Sequence, residues 1–431
     1  MELHEVEITD LSHDGRGVAR VDGKTVFVAG ALPGERASIR VTGRHRSFDE
    51  GKVEALLTRS PERIEPRCPH FGLCGGCALQ HLSPEAQIAA KQRVLAENFE
   101  RIGKVTPKRW LEPLCDEPWG YRRKGRLSVK WVAKKDKVLV GFREDNARFV
   151  ADLSECHTLL PEVGLRIVAL ADVVNSLDSK CYIAQVEISA GDDTVALVFR
   201  NLQPLNDADT AKLIAFGQAH NLAILIQPGG PNTVQALWPA EIALSFRIPD
   251  SDVEIAFEPL DFVQVNSGMN RRMIARTLEL LDPQADDRVL DLFCGLGNFT
   301  LPMARRVGSV VGVEGDAGLV ARARANATRN AITNAEFAAG DLAADQRGAP
   351  WATRDYDKLL LDPPRSGAAA VLEYLPRKSA RRVVYVSCHP GSLARDSGTL
   401  VERHGFKLKA AGVMDMFPHT AHVESIALFE R

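Results

Sequence analysis

The chain has 431 residues, 45% of them hydrophobic and 26% charged, with a formal net charge of −2. That length exceeds one small domain and calls for two or three. No apolar run approaches the roughly 18 residues of a membrane helix, and the N-terminal MELHEVEITD lacks the apolar stretch of a secretory signal, so a cytoplasmic protein is expected, whose cysteines serve as thiols or metal ligands and not as disulfides.

Residues 1–60 read as five short strands, VEIT, GVARV, KTVFVAG, RASIRV and KVEALL, punctuated by glycines. This pattern suggests a small β-barrel of the oligonucleotide-binding kind, although periodicity alone does not separate it from other small β-modules. Residues 61–83 are irregular and hold Cys68, Cys74 and Cys77. A helix is predicted from Pro84 to about Arg101, with Ser83 as its N-cap, Pro84 in the first turn and Gly103 as its stop. Charge is unevenly placed: net −2 over residues 1–66, +8 over 67–150 and −8 over 151–431. The basic stretch interleaves rings with cations, as in Lys108-Arg109-Trp110, Tyr121-Arg122-Arg123-Lys124 and Lys130-Trp131. Cations neutralise phosphate and rings stack on unpaired bases. A solvated charged face would carry the same residues, but the uneven distribution favours a polyanion.

Residues 120–260 read as mixed strands and helices. From about 261 the rhythm becomes an alternation of strands, VLDLF (289–293), SVVGVE (309–314), KLLLD (358–362) and VVYVS (383–387), with helices such as 316–330. That alternation predicts a parallel, doubly wound sheet.

DLFCGLGNFT (291–300) runs from a strand into a helix, and its two glycines allow a ligand to approach the backbone closely. A glycine pair alone is weak evidence. Glu314, ending the next strand, is placed to accept hydrogen bonds from ribose hydroxyls. The third glycine of a dinucleotide turn is absent, which favours S-adenosylmethionine over NAD. Asp341, after another short strand, is placed to reach an adenine amino group. For either acid alone, a solvated strand end is the competing reading.

YVSCHP (385–390) ends a strand on Cys388, at the sheet edge where open α/β folds build their sites. A cysteine there is usually a small buried hydrophobe. Beside a cofactor turn it is also a candidate nucleophile, which most cofactor-binding domains do not need.

Cys68, Cys74 and Cys77 form a compact thiol set that lacks a fourth member. Cys156 is the best candidate and Cys115 its competitor. Zinc and an iron–sulfur cluster are equally compatible with this spacing.

LLLDPPRSGA (359–368), YVSCHP, DFVQVN (261–266), DLFCGLGNFTLP (291–302) and HVESIALF (422–429) together resemble the RNA uracil-C5-methyltransferases along the whole chain. Within that family the resemblance is nearest to the branch acting on uracil 1939 of 23S ribosomal RNA. It implies a TRAM-type barrel over 1–62, a central α+β iron–sulfur domain with the basic block over 63–260, and a Rossmann-like class I methyltransferase domain over 261–431. It also implies Cys388 as the nucleophile and Glu424 as the base. Gln264, Phe293, Asn298, Glu314, Asp341 and Asp362 fall at cofactor-side positions, and Cys68, Cys74, Cys77 and Cys156 at ligands of a [4Fe–4S] cluster. The expected partner is 23S ribosomal RNA, bound by a monomer with no membrane, and Phe262 is expected to stack near the target base. His389 departs from the family, which commonly has Asn there, and puts the hydrogen bonding beside Cys388 in doubt. The same chemistry on another 23S uracil or on uracil 54 of transfer RNA is the near alternative. An RNA-binding module with an inactive methyltransferase domain is the alternative of a different class.

Overall fold

The computed structural model describes residues 3–144, 148–375 and 380–431. Three large sheets and one two-stranded hairpin organise the described residues. The first holds β1 (Leu3–Glu7), β2 (Asp10–Leu11), β3 (Gly17–Val21), β4 (Lys24–Ala29), β5 (Arg36–Arg44) and β6 (Phe48–Thr58), in the spatial order β1-β5-β6-β4-β3-β2. Alternate residues face inward, so Val26, Val28, Ala37 and Ile39 are fully buried together with Ile8 and Ala19. The Thr9 N–H donates to the Val18 carbonyl at 2.9 Å, which brings the end of β1 against β3 and curls the sheet into a barrel.

Helix α1 (Pro84–Asn98) starts where the sequence predicts, with the Ser83 hydroxyl accepting from the Ala86 N–H. It runs on through a widened turn, Phe99–Gly103, and Lys104 reverses the chain with φ +53°. Gly103 is required by a close crossing, since a Cβ there would lie 2.4 Å from the Ala394 carbonyl oxygen. The short β7 (Arg109–Trp110) follows.

The second sheet contains β8 (Lys124–Val132), β9 (Lys137–Gly141), β10 (Ile183–Ala190), β11 (Val195–Asn201), β12 (Ala223–Ile226) and β13 (Gln235–Trp238), ordered β13-β12-β11-β10-β8-β9. Helices α2 (Pro161–Gly164), α3 (Ile167–Ser176) and α4 (Asp207–His220) pack on it around Leu127, Leu170, Ile188, Phe199 and Leu213. A hairpin, β14 (Ser245–Ile248) and β15 (Val253–Ala256), leads towards the third sheet.

That sheet is built by α5 (Ser267–Leu281), β16 (Arg288–Leu292), α6 (Thr300–Ala304), β17 (Ser309–Glu314), α7 (Ala317–Arg329), β18 (Ala335–Ala339), β19 (Lys358–Leu361), α8 (Ala369–Leu372), β20 (Arg382–Ser387), α9 (Pro390–Glu402), β21 (Lys407–Met414) and β22 (Glu424–Glu430). The order is β18-β17-β16-β19-β20-β22-β21-β7. The first five strands are parallel, and β22 enters antiparallel to β20. Both faces are covered, which explains the continuous apolar runs. Val289, Leu360 and Val384 join the core on one face, and Leu290, Leu359, Leu361 and Tyr385 the core on the other. The strand β7 pairs with β21, and α1 packs on α9, so the 63–260 stretch is shared between the second and third sheets. No helix among the described residues is long and apolar enough to cross a membrane.

Candidate active site

The carboxyl ends of β16, β17, β18 and β19 lead into Phe293, Glu314, Asp341 and Asp362, which places four of the predicted cofactor residues along one sheet edge. The turn after β16 is tight. Phe293, Gly295 and Gly297 have φ of +68°, +54° and +92°, conformations that glycine adopts without penalty and Phe293 does not. Glu314 braces this turn by accepting the Gly295 N–H at 3.1 Å, while its other oxygen takes the Gly315 N–H at 2.7 Å. Beneath the turn lies Asp291, fully buried, accepting from the Thr300 hydroxyl. Burial pushes its carboxyl up to about 8, and Asp362 and Glu314 nearby add to the shift. The sequence reading did not single out Asp291; its position as the acid opening the glycine motif was the available signal.

Asn298 exchanges two amide hydrogen bonds of 2.9 Å with Asn270 of α5. Asp341 is exposed and accepts the Ala343 N–H at 2.9 Å. Gln264 is partly buried in the segment entering α5, which Asn266 caps by accepting the Met269 N–H. Phe262 is 72% exposed.

Cys388 and Glu424 meet through strand register. Ser387 pairs with Ser425 across β20 and β22, so the next position places Cys388 opposite Glu424. Glu424 is 4% exposed. Its carboxyl is pushed up to about 8 by burial and then by the charge of Asp362, with Arg365 opposing. Asp362 is itself pushed up to about 7 by burial. The Cys388 thiol is raised to about 11, first by burial and then by Glu424 and Asp362, again with Arg365 opposing. The site therefore joins two carboxyls that resist ionisation, a thiol that resists ionisation and one guanidinium. An Arg365 N–H lies 3.1 Å from His422 Nδ1, at the cleft edge. Both residues stood inside quoted motifs without an assigned role.

His389 resolves its local question. Its Nδ1 accepts the Ser392 N–H at 3.1 Å and so caps α9. An imidazole nitrogen here fills the acceptor role that an asparagine oxygen fills at helix starts.

Cys388, Arg365, His389 and His422 open onto a cleft of about 1200 Å³. Its walls come from Ser12, His13 and Phe27 of the barrel, Arg93 of α1 and Arg101 of the turn that continues it, and Arg122, Arg126 and Arg143. The basic block thus divides. Arg122 and Arg126 line the cleft, Arg126 while pairing with Glu187 at 3.2 Å, whereas Arg123 is paired with Asp192 and Lys124 lies 3.8 Å from the same Glu187. Its rings divide too. Tyr121 is buried and Lys180 sits over one face of Trp131, whereas Trp110 is exposed.

Cys68, Cys74, Cys77 and Cys156 line one small cavity with Phe71, Gln80 and Thr158. Burial raises the Cys77 thiol to about 12, with Cys156, Cys74 and Cys68 all adding to the shift. Cys115 lies elsewhere, beside Asp415 and Lys91. Among the described residues, no group of three or more His, Cys, Asp or Glu is arranged to hold a single metal ion. His70, Glu155 and His157 line the same cavity, so thiols, imidazoles and a carboxylate are the side chains that could hold a metal or an iron–sulfur cluster there.

The fold and the thiol beside a buried carboxyl define a Rossmann-like methyltransferase preceded by a TRAM barrel. The TRAM domain profile matches residues 2–53, and the tRNA (Uracil-5-)-methyltransferase profile matches residues 166–431. A Xanthomonas axonopodis pv. citri protein named 23S rRNA (uracil(1939)-C(5))-methyltransferase RlmD is 61% identical over 430 residues, covering 99% of this chain and 97% of its own. The Xylella fastidiosa protein of the same name is 59% identical with the same coverage. The crystal structure of Pyrococcus abyssi tRNA (uracil-54, C5)-methyltransferase with S-adenosyl-L-homocysteine shares the fold, with a TM-score of 0.75 at 23% identity, over 99% of this chain and 100% of that one. The chain belongs to the RNA uracil-C5-methyltransferase family.

Proposed function

We propose that the protein methylates C5 of uracil 1939 in 23S ribosomal RNA, with S-adenosylmethionine as methyl donor. The observation that carries the chemistry is the register that sets Cys388, in the wall of a cleft rimmed by arginines, against Glu424 buried behind it. The choice of RNA and position follows the relatives' names at about 61% identity over nearly the whole chain.

Uracil C5 is a poor nucleophile. The Cys388 thiolate adds to C6, and the electron pair moves to the C4 oxygen as an enolate, which makes C5 electron-rich. C5 then takes the methyl group from the sulfonium, and S-adenosylhomocysteine leaves. The Glu424 carboxylate removes the remaining C5 proton, the C5–C6 double bond re-forms and the thiolate departs. A base whose pKa is raised to about 8 is matched to proton removal near neutral pH. Arg365 and the positive sulfonium both favour the Cys388 thiolate against its carboxylate neighbours. Gln264, Phe293, Asn298, Glu314, Asp341 and Asp362 form the donor side of the site, with Glu314 presented to ribose hydroxyls. A uracil held in folded RNA must be flipped out to reach Cys388, at a cost of about a few kcal/mol, and exposed Phe262 offers it a stacking surface.

The working division is a barrel over 1–62, a cysteine-bearing unit over 63–260 and a methyltransferase unit over 261–431, acting as a monomer. Cys68, Cys74, Cys77 and Cys156 hold a [4Fe–4S] cluster, which clamps the irregular segment and takes no part in methyl transfer. Iron and sulfide in anaerobically purified protein, lost in Cys77→Ser, would support this. Stoichiometric zinc without iron would refute it.

The function is tested by methyl transfer to unmodified 23S, 16S and transfer RNA, with the product mapped by mass spectrometry. A single 5-methyluridine at 23S position 1939 is expected; a mark elsewhere would remove the substrate assignment. Cys388→Ala should abolish both turnover and covalent capture of 5-fluorouracil RNA, and a persisting adduct would exclude Cys388 as the nucleophile. Glu424→Gln should methylate C5 and then remain joined to the RNA.

A further inference from the structure

Residues 415–423 join β21 to β22, and Glu424 opens β22 directly after them. Thr420, Ala421, His422 and Val423 line the cleft with Cys388. The N-terminal half of the chain grips this connection from three directions. From α1, the Lys91 ammonium, 2% exposed, pairs with Asp415 at 2.6 Å and donates to the Phe417 carbonyl at 3.0 Å. From the cysteine-bearing segment, the N–H groups of Ala78 and Leu79 both donate to the His419 carbonyl at 2.9 Å. From the segment before β8, the Tyr121 hydroxyl donates to the Pro418 carbonyl at 3.1 Å, and Trp119 stacks on the His419 ring with centroids 3.9 Å apart.

These restraints converge on His419. Its carbonyl is held by Ala78 and Leu79, and its N–H donates to Gln87 Oε1 at 3.0 Å. Gln87 is also buried and donates to the carbonyls of Leu79 and Leu82. The backbone of His419 sits at φ +67°, in the left-handed region. A residue with a Cβ stays there only where its surroundings hold it, and here they do so through both backbone polar groups and the ring.

We propose that His419 is a positioning residue for Glu424. Its left-handed turn, locked by α1 and the cysteine-bearing segment, sets the path of Thr420–Val423 and with it the placement of the carboxyl. Ala78 directly follows Cys77, so the segment carrying that cysteine bears on the base through a single shared carbonyl. The proposal rests on Glu424 acting as the base, and its test separates the two.

The test reads two rates on the full-length protein. Covalent capture of 5-fluorouracil RNA reports on Cys388 and methyl transfer. Release of methylated ordinary RNA reports on Glu424. Glycine takes the left-handed conformation without penalty, so His419→Gly should release product within about threefold of the native rate, the loss of one ring stack. A β-branched residue is a strong outlier there, so His419→Val should slow release by about tenfold or more while capture stays near the native rate. Equal release by the two variants, or capture and release falling together, overturns the proposal. Should the valine variant fail to fold, Gln87→Met decides, with Gln87→Glu as its control: the first removes the acceptor for the His419 N–H and the donor to the Leu79 and Leu82 carbonyls, the second removes the donor and keeps the acceptor. Slow release with intact capture in the first alone supports the proposal, and native release by the first, or equal release by the two, overturns it. Glu424→Gln is run alongside. Its normal release would overturn the base assignment and this proposal with it, whereas slow release by Glu424→Gln beside fast release by His419→Val would overturn this proposal alone.

Discussion

Replacing Glu424 by glutamine should make the Cys388 thiol more acidic. Cys388 directly follows Ser387 and Glu424 directly precedes its strand partner Ser425, and continuing that register puts the two about 4.5–5.5 Å apart at Cα. Two like charges about 5 Å apart repel by about 3 kcal/mol at an effective dielectric constant of about 20, or about 2 pKa units at about 1.4 kcal/mol each. Water and ions reach Cys388 from the open cleft, so a fall of about 1–2 units is expected. The sign depends on pH. The Glu424 carboxyl ionises only near 8, whereas the thiol ionises near 11. Below the first value the carboxyl is neutral and exerts no repulsion, so the substitution changes little there. Above it the native thiol titrates against a charged neighbour and the variant thiol does not. The assay is the rate of iodoacetamide alkylation of Cys388 across pH about 7 to about 10.5, read by peptide mass spectrometry with Cys388→Ser as the blank, because only the thiolate reacts. The native rate should still be climbing at the upper limit, and the variant should level off at least about one unit earlier. Superimposable profiles, or a variant displaced to higher pH, would refute the coupling between these strands.

Lys91→Met leaves the Asp415 carboxylate without its buried partner, so unfolding free energy should fall by about 3–5 kcal/mol, measured by urea denaturation; an unchanged midpoint would show that Asp415 finds solvent instead. Glu314→Ala removes an acceptor from the Gly295 N–H as well as the carboxylate offered to ribose, and should weaken S-adenosylmethionine binding about tenfold or more by calorimetry. The raised folded-state carboxyl of Glu424 binds a proton that the unfolded chain has already lost. Native stability should therefore decline as pH rises from the ordinary carboxylate range to about 8, and the advantage of Glu424→Gln should grow across that window and then hold constant. A variant whose stability tracks the native protein at every pH would show that Glu424 is not the group responsible.

The strands of the third sheet were legible because a parallel sheet covered on both faces must be apolar along its whole length. SVVGVE falls on β17 residue for residue, and the helix predicted over 316–330 occurs as Ala317–Arg329 with Asp316 as its cap. Short motifs carried the family, since DPPR, SCHP and HVE hold chemically committed residue types within a few positions. The same local reading missed the pairing of Arg365 with His422 and misjudged a ring of the basic block. Tyr121 looks like a stacking surface in a string of cations, yet it is buried with its hydroxyl on the Pro418 carbonyl, nearly 300 residues away along the chain.

From the sequence alone came the cofactor turn and the strand-end thiol, written in residue type and short-range spacing, while the order of the domains and the carboxyl came from the resemblance of short motifs to a family. The tertiary structure decided that β22 runs back beside β20, and with it that Cys388 faces Glu424. It also decided that four cysteines separated by as many as 88 positions share one cavity while Cys115 does not, and that α1 and the cysteine-bearing segment hold the loop before Glu424. Burial and proximity depend on the path of the whole chain, and no local pattern encodes which distant groups will exclude water from one another or share a charge.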